Sequence, residues 1–311
     1  MSKIAIIIPC YKVANHIEKV VESIPNHINY IIAVNDCSPD STDALLKEIA
    51  NKNQRLVYIK HEINLGVGGA MISGFKKAFE LEVDIVVKID GDGQMDLKYL
   101  PQFLEPLINN SADFTKGNRF KNYKTLKKMP IVRRVGNLGL SFLTKAASGY
   151  WNIFDPANGY LAIKTEKLKD FDFKNLHKRY FFESSLLIEA YNYDTTIKDI
   201  PIDSLYGNEV SNLSITKVLF EFPPKLVRAF LKRIILKYFL NDFNIASVYI
   251  LFGLPIFSLG FIYGIVNFIH YVKINTVAPT GTVVIPTLMI TLGFQLLLSF
   301  INFDINNYPK K

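Results

Sequence analysis

The segment Val87-Lys88-Ile89-Asp90-Gly91-Asp92-Gly93-Gln94 runs an apolar stretch straight into two aspartates one residue apart. Two carboxylates at one strand end repel each other, so the pair is favourable chiefly when a hard cation such as Mg²⁺ or Mn²⁺ shares their oxygens and links them to a phosphate. Asp-Gly-Asp-Gly is equally ordinary turn chemistry, and taken alone the pair decides nothing.

The elements before it decide more. Lys3–Pro9, Tyr30–Asn35, Leu56–Lys60 and Asp84–Ile89 are short, continuous, β-branched apolar runs that read as buried parallel strands. Between them, Val13–Ser23, Thr42–Asn51 and Val67–Glu80 carry apolar residues at three- and four-residue spacing, as crossover helices require. Ligands of such sheets sit beyond the carboxyl ends of the strands. The unusual residues fall there: Pro9-Cys10-Tyr11, Asn35-Asp36 through Thr42, Asn64 to Gly69, and Asp90-Gly91-Asp92. The glycines of Asn64–Gly69 fit neither a dinucleotide fingerprint nor a phosphate loop, since they follow the third strand and lack both patterns. They are expected to let a helix start close to the sheet and to a ligand. Asp40 or Ser41 is expected to cap the second helix, and Asp36 to touch ligand.

Taken in order, Ile8-Pro9-Cys10-Tyr11, Val34-Asn35-Asp36, Asn64-Leu65-Gly66-Val67-Gly68-Gly69 and Asp90-Gly91-Asp92-Gly93-Gln94 resemble the family 2 inverting glycosyltransferases of GT-A fold. Gly117-Asn118-Arg119, Arg133-Arg134, Asp155 to Tyr160 and Phe182-Glu183 extend the resemblance to the polyprenyl-phosphate branch, typified by dolichol-phosphate mannose synthase. It implies that Pro9 and Tyr11 flank a nucleotide base that hydrogen-bonds Asp36. Asp90 and Asp92 would face the diphosphate, with Asp92 and Gln94 as metal ligands and Asp90 on the metal or on sugar hydroxyls. Asn35 departs from the family, which often carries two acids at Asn35-Asp36. Arg119, Arg133 and Arg134 have planar forks suited to an acceptor phosphate, Arg119 following a predicted fifth strand at Phe114–Gly117. Their plain alternative is a basic face, because Lys121, Lys124, Lys127 and Lys128 crowd the same stretch. Asp155 matches the family's catalytic carboxylate, against a turn or cap before Pro156. Glu183 is expected to pair with Arg119 or a substrate hydroxyl, or to start a helix.

The final third changes character. Residues 245–271 and 282–303 are almost wholly apolar, each long enough to cross a hydrocarbon core. Before them, Lys225, Arg228, Lys232, Arg233 and Lys237 interleave with Leu226, Phe230, Ile234, Ile235 and Phe239, a basic amphipathic helix whose start is set by Pro223-Pro224. Lys310 and Lys311 follow the second span, and the connecting segment holds only Lys273, which places both termini in the cytoplasm. Gly253, Gly260 and Gly264 suggest helix packing, within the chain or in a homo-oligomer.

The expected organisation is a cytoplasmic α/β GT-A domain with a mostly parallel sheet over residues 1–215. A juxtamembrane helix at 216–243, two transmembrane helices at 244–304 and a cytoplasmic tail at 305–311 follow. With 311 residues, net charge +8 and 49% hydrophobic residues, the chain accommodates one such domain and a small anchor. The charge suits phosphates and lipid headgroups; no nucleic-acid motif is present. Cys10 and Cys37 match no metal spacing and read as reduced thiols, and the amino terminus reads as lacking a signal peptide. The function expected is transfer of one sugar from a nucleotide-sugar donor, with UDP favoured over GDP, to polyprenyl phosphate at the membrane. The alternatives are a polysaccharide-synthase-like enzyme with another acceptor, whose Gln-x-x-Arg-Trp pattern is missing, or a non-catalytic membrane scaffold.

Overall fold

The computed structural model describes residues 2–120, 131–203 and 215–310. The four apolar runs are strands β1 (Ile4–Cys10), β2 (Tyr30–Asn35), β3 (Leu56–Lys60) and β4 (Ile85–Lys88), all mutually parallel with β1 between β2 and β4. They are joined by helices α1 (Ile17–Glu22), α2 (Thr42–Lys52) and α3 (Val67–Glu80). Strands so central are covered on both faces: Ala5, Ile6, Ile7 and Ile8 have no exposed surface. Each such isoleucine contributes about 1.5–3 kcal/mol by burial. Gly74 lets α3 settle on the sheet, since a Cβ there would lie 2.5 Å from Ile7 Cγ2.

Helix α1 starts four residues later than the apolar spacing predicts. The amides of Lys12, Val13 and Ala14 donate instead to Ser38 Oγ (2.7 Å), Thr42 Oγ1 (3.2 Å) and Asp40 Oδ2 (3.3 Å), which locks the two loops together.

Three more strands extend the sheet: β5 (Phe114–Asn118), β6 (Leu161–Lys164) and β7 (Ile197–Pro201), in the order β3-β2-β1-β4-β6-β5-β7. β6 runs antiparallel between β4 and β5, with Leu161 opposite both Lys88 and Lys116. Reversal puts the amino end of β6 at the same edge as the carboxyl ends of its neighbours. The residues leading into β6, Asp155 to Tyr160, are thereby delivered to the edge that carries Asp90. Tyr160, buried and stacked on Phe103 at 4.1 Å between centroids, anchors that lead-in to the core.

The chain divides into two compact units, residues 1–229 with 309–311 and residues 230–308. The second contains two helices long and apolar enough to cross a membrane, Ile245–Lys273 and Thr280–Asn306, with mean hydropathies of 2.1 and 2.0. Only 22% and 17% of these apolar stretches is buried within the protein, whereas a core helix would be mostly covered. Gly253, Gly260 and Gly264 of the first helix face Leu296, Met289 and Pro286 of the second, and Gly293 faces the backbone of Phe257. The glycine stripe is therefore used inside the helix pair. Asn244 caps the first apolar helix in a reciprocal box with Ser247. At the same end of the antiparallel pair, buried Asp304 accepts from Arg233 Nη1 (2.7 Å) and Nη2 (2.8 Å) and from Tyr238 Oη (2.5 Å). Pro223 and Pro224 lie inside a helix, Ile215–Ile235, and do not set its start. The helix tolerates them at the cost of two backbone hydrogen bonds.

Candidate active site

The carboxyl ends of β1 and β2 make the first wall. Pro9 is half-buried and Tyr11 is 45% exposed, with Lys12 Nζ 5.6 Å from its ring centroid. Asp36 is buried and its carboxylate is held by the chain itself: Leu65 N (2.8 Å) and Gly66 N (2.7 Å) donate to it, and His61 Nδ1 lies 2.8 Å away. His61 Nε2 in turn meets Ser73 Oγ at 2.9 Å. Asp36 is thus the anchor of the Asn64–Gly66 loop, whatever else it touches. Asp40 performs the expected capping, accepting from Thr42 N, while Ser41 makes no side-chain cap. Burial pulls the Asp40 carboxyl up, but hydrogen bonds from Ser38, Thr42 and Ala14 overcome this and hold it at about 2.

The glycines that open α3 serve packing. Gly66 has φ of +82°, and a Cβ at Gly68 would lie 2.1 Å from the His177 carbonyl oxygen. The amides of Gly68 and Gly69 donate to Lys178 O at 2.8 and 3.2 Å, so this helix start is closed by the 177–179 backbone.

Asp90 and Asp92 sit on the turn after β4. Asp92 Oδ1 accepts from Gln94 N at 3.0 Å, and the Gln94 side chain is exposed. Asp90 Oδ1 accepts from Lys88 Nζ at 2.7 Å. A Cβ on Gly159 would lie 2.5 Å from Lys88 Nζ and 2.7 Å from Asp90 Oδ2, so the missing side chain at Gly159 is what leaves room beside that oxygen. Among the described residues no group of three or more acidic, histidine or cysteine side chains converges on one point. Two carboxylates and an amide, all hard oxygen donors on one open turn, fit Mg²⁺ or Mn²⁺, which complete their shells with substrate phosphate and water.

The second carboxylate of the site is Asp155. It is 1% exposed and accepts four donors: Arg119 Nε (2.7 Å), Arg119 Nη2 (3.0 Å), Arg119 N (3.2 Å) and Asn158 Nδ2 (3.4 Å). The Arg119 side chain is 37% exposed, a bidentate fork fixed from below and open above. Arg119 follows β5, one residue longer than predicted. The side chains of Arg133 and Arg134 lie outside the described residues, as does the lysine-rich stretch 121–130, although their helix, Ile131–Ser148, is in place.

Glu183 has Lys88 as an ion-pair partner. It starts the helix Phe182–Asn192, is 9% exposed and lies 3.3 Å from Lys88 Nζ. Lys88 is the residue the motif reading passed over: 1% exposed, it links Asp90, Glu183 and the Gly159 carbonyl oxygen (3.3 Å). Burial alone would drive its amine down, and the charges of Asp90 and Glu183 raise it above the ordinary lysine value. Lys116, also 1% exposed, donates to Asn158 O; burial lowers it to about 8 despite Glu183 and Asp155 nearby. A lysine directly after the apolar run Ile85-Val86-Val87 was the available signal for Lys88; Lys116, between Thr115 and Gly117, carries none. Burial also pushes the Cys10 thiol well up, which makes it an inert core group.

The pattern described as Glycosyl transferase family 2 matches residues 5–171. UDP-N-acetylglucosamine–dolichyl-phosphate N-acetylglucosaminyltransferase of Methanococcus voltae is 38% identical over 233 residues, covering 70% of this chain and 92% of the relative. Polyprenol monophosphomannose synthase of Mycolicibacterium smegmatis is 26% identical over 242 residues, covering 73% and 88%. Among solved structures, glucosyl-3-phosphoglycerate synthase of Mycobacterium tuberculosis with Mn²⁺, UDP and glucosyl-3-phosphoglycerate superposes with a TM-score of 0.54 at 18% identity, covering 75% of this chain and 80% of that one. At that identity the likeness is one of fold.

Proposed function

The chain belongs to glycosyl transferase family 2, and from that premise we propose that it transfers a single sugar, with inversion, from a UDP-sugar to a polyprenyl phosphate, giving a lipid-linked sugar. One observation carries the choice of acceptor. The carboxylates of Asp90, Asp155 and Glu183 all accept hydrogen bonds or ion pairs from lysine or arginine. A sugar hydroxyl would need a general base to take its proton. A lipid monophosphate arrives with about −1.5 to −2 charges near neutral pH and needs anchoring instead. The oriented fork of Arg119 is the anchor, and Arg133 and Arg134 are the further phosphate ligands that the family resemblance supplies.

In this reading Pro9 and Tyr11 flank the base, and Asp36 fixes the loop beside it and contacts it. Asp90, Asp92 and Gln94 hold the divalent cation. Bound there, Mg²⁺ or Mn²⁺ supplies the positive charge that lets the nucleoside diphosphate depart. Asp155 keeps Arg119 in one orientation, so that the acceptor phosphate meets the anomeric carbon on the face opposite the leaving group. The two curated relatives named above act on dolichyl or polyprenyl phosphate, by their names, which supports the acceptor; the 38% identical one uses UDP-N-acetylglucosamine, which makes that sugar the first donor to try. The two apolar helices would hold the enzyme in the membrane where such acceptors diffuse, with the catalytic unit and both termini cytoplasmic, as the lysine distribution favours.

The test is transfer of labelled sugar from UDP- and GDP-sugars into the organic phase, with purified protein, polyprenyl phosphate and Mn²⁺ or Mg²⁺. Label from one donor, lost in Asp92→Asn and in chelator, is the expected result. Transfer to a sugar hydroxyl in place of the lipid phosphate would refute the acceptor.

A further inference from the structure

The acids of the donor side, Asp90 and Asp92, and the Asp155–Arg119 pair of the acceptor side come from separate segments. Something must set the gap between them, because in-line displacement tolerates little error in the distance between nucleophile and anomeric carbon. The lead-in to β6 is the element that spans the gap, and it is held from both flanks. Lys88, the last residue of β4, donates to Gly159 O at 3.3 Å, and Lys116 of β5 donates to Asn158 O, the preceding carbonyl. Both amines come from strands that pair with β6 at Leu161, two and three residues beyond these carbonyls. Lys88 also holds Asp90 Oδ1 and Glu183, so one ammonium ties the donor acid to the acceptor lead-in.

Fully buried lysines are rare unless paired. Lys88 is paired twice; Lys116 rests on one carbonyl, with Glu183 and Asp155 acting on it only through their fields. Lys88, Lys116 and Arg119 thus sit among Asp90, Asp155 and Glu183, each cation paired with or in the field of at least one of these carboxylates. A core built for stability alone would place apolar side chains at two buried strand positions; buried charge at a catalytic edge points to geometry.

We propose that Lys88 and Lys116 are positioning residues that clamp the Asn158–Gly159 segment from β4 and β5 and so set the spacing between the donor acids and the Asp155–Arg119 pair. The inference rests on the sugar-transfer reading above. It makes the two lysines unequal. Lys116 touches only the acceptor lead-in, whereas Lys88 touches both sides.

The experiment compares wild type, Lys116→Met, Lys88→Met and Lys116→Arg as full-length protein in detergent. UDP binding in Mn²⁺ is read by calorimetry, and transfer of label to polyprenyl phosphate in parallel. Lys116→Met is expected to bind UDP within about twofold of wild type while kcat falls about 30-fold or more, the scale of a small misplacement of reacting groups. Lys88→Met is expected to lose about tenfold in UDP affinity as well as kcat, and Lys116→Arg, which keeps a charged donor, to recover part of the turnover. Unchanged kcat in Lys116→Met, or parallel loss of UDP binding and kcat in that variant as a loosened fold would give, overturns the clamp while leaving the reaction standing. A wild type that binds UDP but labels no polyprenyl phosphate refutes the reaction, and the spacing role with it.

Discussion

Gly159→Ala is the smallest perturbation that reaches the centre of the site. The added methyl would lie 2.5 Å from Lys88 Nζ, 2.7 Å from Asp90 Oδ2 and 3.1 Å from Met95 Cε. Ordinary contacts begin near 3.5 Å, so the amine and the carboxylate must each retreat by about 1 Å. The backbone raises no objection, because Gly159 is not among the glycines with positive φ, which among the described residues are Gly66, Gly93 and Gly149. All three neighbours are ends of side chains, so the stability cost falls toward the low end of the about 1–3 kcal/mol typical of overpacking. Catalysis has no such tolerance. Moving Asp90 and Lys88 by about 1 Å is expected to lower kcat on the order of 100-fold, about 2.7 kcal/mol in the barrier. The assay is initial-rate transfer at saturating donor over a Mn²⁺ titration, with the melting temperature of each protein alongside. Gly281→Ala, where a Cβ meets nothing within 4 Å, is the control. Turnover within about threefold of wild type and an unchanged Mn²⁺ requirement would refute the placement of the reacting groups beside Asp90 Oδ2.

Three further outcomes follow from the geometry. Gly293→Ala would put a Cβ 2.5 Å from Phe257 N and 2.7 Å from its Cα, backbone atoms that can move only if the two apolar helices part; the melting temperature in detergent should fall while UDP binding is kept. Asp304→Ala strands the buried Arg233 guanidinium, and breaking such a pair costs about 3–5 kcal/mol; Arg233→Met with Asp304→Leu should recover much of that loss in the same melting experiment. Burial lowers Lys116 to about 8 in the folded chain against 10.5 for an ordinary lysine. Between those values the unfolded chain binds more protons, so this group makes stability rise with pH from about 8 to 10.5. Lys88 is shifted upward and acts in the opposite sense, but it is present in both proteins, so the difference in melting temperature between wild type and Lys116→Met isolates the Lys116 slope.

The sheet was legible because its first four strands are continuous β-branched runs, and Asp90 and Asp92 because two acids at a strand end are chemically conspicuous. The rest depended on contacts far apart in sequence. β6 has only four residues, Leu161–Lys164, and nothing local says that it runs antiparallel between β4 and β5; yet that reversal brings Asp155 to Asp90. Gly66 and Gly68 read as letting a helix start close to the sheet and to a ligand; that the carbonyls of His177 and Lys178 also need this room has no local signal. Asp36 reads as a ligand contact from its position after β2; its further part, holding a loop after β3 through two amides, has no local signal. Glu183 takes the first turn of its helix, as one of its readings expects, while its ion pair with Lys88 joins residues 95 positions apart and has no local signal.

Asp155 offers the sharpest division between a lipid phosphate and a hydroxyl as acceptor. If Asp155 were a general base, Asp155→Asn would remove the proton acceptor and cost about 10²–10⁴-fold in kcat. Its oxygens instead receive Nε, Nη2 and the backbone amide of Arg119, and Asn158 Nδ2 as well. An amide in its place keeps one acceptor oxygen for Arg119 and presents an NH₂ group where the second accepted. The fork loses one of two bonds and its fixed plane, so the acceptor phosphate is held less well. The expected effect is a rise of about tenfold in KM for polyprenyl phosphate with a smaller fall in kcat, while KM for the donor stays near wild type. Arg119→Lys, which keeps the charge and loses the fork, should shift the same parameter. A loss confined to kcat in Asp155→Asn, with acceptor KM unmoved, would make Asp155 a base and return a hydroxyl acceptor to first place.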